Sequence, residues 1–143
     1  MSVHLVKLGV GIETIDDLRE RQKQRIAECK AAGEGPTLRI LTRNSPRRGD
    51  ELLADDGSLY WVIRGRILVR QKITAIEPAT AADGSQRCAI HLDRKLVRVE
   101  SKRSRPFQGW RYLEPENAPA DLSARALAER EPPSPPPLTD MQL

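Results

Sequence analysis

Apolar and polar positions alternate most regularly between Ser58 and Glu77, SLYWVIRGRILVRQKITAIE. Tyr60–Ile63 and Ile67–Val69 are aromatic, aliphatic or β-branched, with Arg64-Gly65 between them. This composition predicts either two strands joined by a tight turn or one strand bent at Gly65. Along Arg66–Ile76 the two-residue period puts Ile67, Val69, Gln71, Ile73 and Ala75 on a core-facing side. Arg66, Leu68, Arg70, Lys72, Thr74 and Ile76 fall on the other, which carries a row of cations. Glu77-Pro78 is expected to end that strand.

The flanking pattern completes an α+β outline. Val3–Leu8 reads as a first strand. Thr14 and Asp17 have capping-box spacing, and Ile15, Leu18, Gln22, Ile26 and Cys29 follow a helical period. The predicted helix stops near Ala32, at Gly33–Pro36, and its narrow apolar stripe allows packing along one edge only. Leu38–Thr42 is a second strand, and Arg47–Leu53 contains a helical turn. After an Asp83-Gly84 turn, Arg87–Leu92 presents Cys88, Ile90 and Leu92 to a core. Leu96–Glu100 is the next strand, Ser101–Pro106 a basic loop, and Phe107–Leu113 holds the last strand. Residues 1–122 therefore read as a single domain. Residues 123–143 read as an acidic, proline-rich tail, with a short helix over Leu122–Arg130 and an extended Pro132–Pro137 run.

Charge sharpens this outline. Residues 1–57 carry 10 Lys/Arg and 10 Asp/Glu, whereas residues 58–113 carry 12 and 4 and residues 114–143 carry 2 and 6. Positive charge thus gathers on the β-rich segment, where its field attracts polyanions, nucleic acid above all, or is simply a solvated surface. Arg43, Arg47 and Arg48 form a smaller cluster that could touch phosphate or, more readily, offset Asp50, Glu51, Asp55 and Asp56. Cys29 and Cys88 lack metal-site or redox spacing, and no leader or membrane span is evident. The expected setting is a reducing cytoplasm, with no membrane partner.

Only five residues are aromatic, and they occupy two segments: Tyr60 and Trp61, then Phe107, Trp110 and Tyr112. If the segments are neighbours in a curled sheet, the rings and surrounding guanidinium groups suit unpaired bases and phosphates. The candidate nucleic-acid-binding residues are Tyr60, Trp61, Arg64, Arg66, Arg70, Lys72, Arg105, Gln108, Trp110 and Arg111. Burial tendencies favour the core for Trp61 and leave Trp110 the better candidate for exposure. No catalytic motif, cofactor loop or metal-ligand spacing is present. Lys72, Thr74 and Glu77 are the residues an enzymatic alternative would use, and the tail would serve a protein-interaction alternative.

The runs YWVIRG (Tyr60–Gly65) and RPFQGWRYL (Arg105–Leu113), with VHLVKL (Val3–Leu8), resemble an uncharacterised bacterial family of unknown function, over about residues 1–122. A more distant likeness, in the order strand, helix, strand and β-meander, is to PUA-like domains of the ASCH and EVE kinds. That likeness implies a curled, mostly antiparallel, barrel-like sheet with one main helix, and a cleft for RNA or a modified base. An ASCH-like amidohydrolase is the enzymatic counterpart it implies.

Overall fold

The chain folds around β1 (His4–Leu8), which pairs in parallel with β3 (Ser58–Ile63) on one side and antiparallel with β7 (Trp110–Leu113) on the other. In this computed structural model the described residues are 3–33, 35, 37–54, 56–105, 107–123, 125 and 127. Between β1 and β3 lie α1 (Ile15–Ala31), β2 (Arg39–Thr42) and the short α2 (Gly49–Ala54). Then come β4 (Arg66–Thr80), β5 (Gln86–Leu92), β6 (Val97–Arg103), β7 and a 3₁₀ turn at Pro115–Asn117. The Thr14 hydroxyl accepts from the Asp17 N–H at 3.0 Å, and the Asp17 carboxylate accepts from the Thr14 N–H at 3.1 Å. This reciprocal cap satisfies donors that the first helical turn leaves free.

The organising stretch is a hairpin rather than a bent strand. Arg64 and Gly65 have φ of 53° and 78°, the double positive φ of a two-residue type I′ turn whose twist matches the flanking strands. The expected stop at Glu77-Pro78 is corrected, because β4 runs on to Thr80 with Pro78 opposite Cys88. Pairing with β3 ends at Lys72, which leaves one edge of β4 without a partner strand there, and a residue lacking an N–H is tolerated on such an edge. The expected basic loop is also shortened. Ser101–Arg103 belong to β6, which reaches Arg103 opposite Arg66. Lys102 and Arg103 are exposed, so no apolar alternation marked this end of the strand.

The seven strands form one α+β sheet in the order β2-β5-β4-β3-β1-β7, with β6 added on β4. Every pair except β1/β3 is antiparallel. The first half of β4 takes β3 and β6, and its second half takes β5 after a register shift between Ile73 and Ala75. The sheet curls but does not close into a barrel: among the described residues no ladder joins the terminal strands β2 and β7.

Each face of the curled sheet has its own core. Leu5, Leu59, Trp61, Ile63, Val69, Ile73 and Ile90 pack with Leu18 of α1 and Leu52 of α2. Val6, Tyr60, Val62, Ile67 and Val99 form the second cluster, covered by Phe107, Leu113 and Ala118. Only Leu18 and Gln22 of α1 are buried, as its narrow stripe requires. Gln22 meets the fully buried Gln71 in a reciprocal amide pair of 2.7 and 3.0 Å. The Trp61 indole N–H donates to the same Gln71 oxygen at 2.8 Å, and the Gln71 amide nitrogen donates to the Asp93 carbonyl at 2.9 Å. All four hydrogen-bonding positions of this buried amide are filled. The expected helix over Leu122–Arg130 lies outside the described residues except at Leu122, Ser123, Arg125 and Leu127, and the proline-rich tail lies wholly outside them. Among the described residues no helix is long and apolar enough to cross a membrane.

Candidate functional site

The structure divides the expected aromatic surface. β1 separates β3 from β7, so the two aromatic segments are not adjacent strands as expected. Tyr60 and Trp61 are successive strand residues and face opposite cores, at 4% and 6% exposure. Trp61 is core, as burial tendencies suggested, with its N–H spent on Gln71. Trp110 is half-buried and belongs to the Trp61 side of the sheet. The strand between them puts Lys7 opposite Trp61 on one flank and opposite Trp110 on the other.

Tyr60, Arg70 and Lys72 line an open cleft of about 530 Å³ on the opposite face, together with Asp56 and Asp121. Both cations there are matched. Arg70 grips the two Asp121 oxygens at 2.7 Å each and also donates to the Ser58 hydroxyl at 3.1 Å. This contact holds the Asp121 carboxyl below its ordinary range and the Arg70 guanidinium above its own. Lys72 sits 3.1 Å from Asp56. Arg70 thus ties the segment after β7 onto the sheet, where Asp121 bridges Val99. Arg66 donates to Ser101, Arg111 stacks on the Phe107 ring at 4.9 Å, and Arg64 and Arg105 are exposed on turns. The expected cation row therefore does not converge with Gln108 and Trp110.

Gln108 and Trp110 instead line an open cleft of about 470 Å³ in the seam of the unclosed sheet. Its other wall is the chain leaving β2, including Leu41, Arg43, Asn44 and Arg47, and Lys7 and Tyr112 complete the lining. Two hydrogen bonds draw the walls together. The Trp110 indole N–H donates to the Asn44 carbonyl at 3.0 Å, and the Arg48 N–H donates to the Tyr112 hydroxyl at 3.1 Å. Arg48 is held by Glu51 and Glu114 and covers the Tyr112 ring, whose edge meets Trp110 at 5.0 Å. Among the described residues the Arg43 and Arg47 side chains make no ion pair or hydrogen bond, and the offset by nearby acids expected for this cluster is realised there only at Arg48.

Lys7 and Leu41 also line a smaller recess of about 170 Å³ between β1, β2 and α1, with Arg21, Arg25, Arg39 and Trp61 in its wall. Six basic residues thus surround the two spaces, and among the described residues no carboxylate lines either. Lys7 is half-buried, its ammonium 6.0 Å from the Trp61 ring centroid. Among the described residues its ammonium makes a single long hydrogen bond, of 3.5 Å to the neighbouring Leu8 carbonyl. Burial, and then the Arg25 charge, hold the Lys7 ammonium below its ordinary value. Sequence reasoning missed Lys7 as a site residue, and weighed Arg43 and Arg47 as phosphate contacts but preferred charge offset for them. A signal for Lys7 was present: the two-residue period puts it on the face of Val3 and Leu5, both with no exposure.

The residues of the enzymatic alternative are drawn to different partners, Lys72 to Asp56 and Glu77 to His91 at 2.8 Å. His91 also meets the Thr37 hydroxyl at 3.4 Å, but neither seam cavity is lined by these groups. Among the described residues no group of three His, Cys, Asp or Glu side chains could hold a metal ion, and both cysteines are free thiols. The profile of a family described as a protein of unknown function (DUF1489) matches residues 5–141. No curated protein and no solved structure matches the chain.

Proposed function

The chain belongs to the DUF1489 family of proteins of unknown function, and from the seam cleft we propose that it binds single-stranded nucleic acid, RNA foremost. One observation carries this reading: Lys7, Arg43 and Arg47 line a cleft beside the half-buried Trp110, with no carboxylate in its lining among the described residues. Arg43 and Arg47, whose guanidinium groups have no partner among the described residues, are placed to contact phosphates. Trp110 offers a ring for stacking a base, and the exposed Gln108 amide a donor and acceptor for its edge. The cleft around Arg70 and Lys72 is the weaker choice, because Asp121 and Asp56 already balance its cations. Two free thiols support the expected reducing, cytoplasmic setting.

The test is binding of a fluorescent single-stranded oligoribonucleotide across a salt series. Affinity should fall steeply with salt, and Arg43→Ala should flatten the log–log slope by about 0.7, the loss of one phosphate contact. Trp110→Ala should weaken binding by about 1–3 kcal/mol. Absence of binding at about 50 mM salt overturns the proposal.

A further inference from the structure

The recess behind Lys7 is separate in size and chemistry from the outer cleft. The outer cleft, about 470 Å³, lies within the usual range for small-molecule sites, whereas the recess of about 170 Å³ falls below it. It suits a single functional group rather than a whole nucleotide. Lys7, Arg21, Arg25 and Arg39 are the charged residues in its wall, and all are basic. Arg21 already donates to the Val10 carbonyl at 3.3 Å. Among the described residues Lys7 and Arg25 have no carboxylate partner, and burial and then the Arg25 charge disfavour the charged form of Lys7. Lys7 is half-buried and Arg25 exposed, so an anion between them would offset the cost of keeping Lys7 charged. Lys7 and Leu41 line the outer cleft as well, so the two spaces adjoin.

Building on the nucleic-acid reading, we propose that this recess receives a terminal phosphate while the adjoining base occupies the outer cleft. Lys7 and Arg25 hold the phosphate oxygens, and Trp110 stacks the ring. An internal phosphodiester carries one negative charge and has chain on both sides. A terminal monoester carries up to two and has chain on one side only, which matches a small strongly cationic recess adjoining a larger aromatic-flanked cleft.

The test compares four probes on the full chain: one oligouridylate with free hydroxyl ends, the same chain with a 5′-phosphate, the same chain with a 3′-phosphate, and inorganic phosphate. The hydroxyl-ended and phosphorylated chains are followed by anisotropy, and inorganic phosphate by protection of Lys7 from reductive methylation. One phosphorylated end should bind about tenfold tighter than the hydroxyl-ended chain, the worth of one charge-assisted contact. Arg25→Gln should bring that ratio close to one, and Lys7→Arg, which keeps the charge, should preserve it. Arg47→Gln should weaken all the oligonucleotides alike and leave the ratio intact. Equal affinity for all oligonucleotides overturns the terminal-phosphate proposal and leaves nucleic-acid binding standing. Protection by inorganic phosphate without binding of any oligonucleotide upholds the recess as an anion site and overturns the nucleic-acid reading. A ratio unaffected by Arg25→Gln, or no response to any probe, overturns the proposal.

Discussion

Replacing Gln71 with leucine tests whether the buried amide cluster sets the floor beneath Lys7. Gln71 has no exposed surface and joins β4 to α1 through Gln22, to β3 through Trp61, and to the chain after β5 through the Asp93 carbonyl. Leucine preserves the bulk but leaves the Trp61 N–H and the Gln22 amide unpaired at sites 6% and 8% exposed. Each orphaned buried group costs about 1–3 kcal/mol, so the two together cost about 2–6 kcal/mol. Burying leucine in place of the amide returns about 1–2 kcal/mol. The central values, about 4 kcal/mol lost and about 1.5 kcal/mol returned, leave a net loss of about 2.5 kcal/mol, a large share of the stability of a chain this size. Urea unfolding followed by the fluorescence of Trp61 and Trp110 measures it, with the midpoint falling and the slope unchanged. In the Gln22→Leu/Gln71→Leu double variant one orphan is removed with its partner, so the combined loss should be smaller than the sum by about 1–2 kcal/mol. A Gln71→Leu loss under about 0.5 kcal/mol, or strict additivity of the pair, refutes the reasoning.

Further expectations follow from other parts of the fold. A Cβ on Gly57 would lie 2.7 Å from the Leu52 carbonyl oxygen and 2.8 Å from that of Val3. Both are backbone atoms, so Gly57→Ala should cost about 1–3 kcal/mol, and an unchanged melting temperature would contradict the close approach. The His4 Nδ1 atom accepts the Ser58 N–H at 3.0 Å, so it must be unprotonated, and burial and then Arg70 lower its pKa from 6.5. The unfolded state therefore takes up the proton first. Stability should decline as pH drops below 6.5 towards the folded value, and His4→Gln should lose that decline in urea titrations across the range. Asp121 is held low by Arg70, so its contribution is present above its ordinary carboxylate value of 3.8 and fades as pH falls below it. Asp121→Asn should remove that acid-range dependence, with a cost near neutrality of about 0.5–1.5 kcal/mol because the pair is partly exposed. Equal acid sensitivity of wild type and variant would sink this assignment.

The one-dimensional pattern determined the elements whose stabilising contacts are local. Thr14 and Asp17 cap a helix three residues apart, and Gly65 marked a turn or a bend because glycine accepts positive φ, whereas the positive φ of Arg64 that makes it a hairpin was not legible. The β4 alternation named Ile67, Val69, Gln71, Ile73 and Ala75 as inward; the first four are buried and Ala75 half-buried, and a register shift after Ile67 sends that residue to the second core. Where pairing rather than side-chain period defines a strand, the sequence was silent: Ser101–Arg103 and the run past Pro78 are strand because β4 and β5 pair there. The site was legible only in pieces. Gln108 and Trp110 line the seam cleft, but Arg70 and Lys72 do not, because the two-residue period cannot say which carboxylates the fold will bring beside a cation. Tertiary structure decided that Asp121, 51 residues beyond Arg70, claims it. It also decided that β1 enters between β3 and β7, in parallel with the one and antiparallel with the other. That insertion separates the two aromatic segments and carries Lys7 between Trp61 and Trp110. A strand's neighbours are set by long-range hydrogen bonding and burial, so the lysine at the junction of the two cavities became legible as a site residue only in three dimensions.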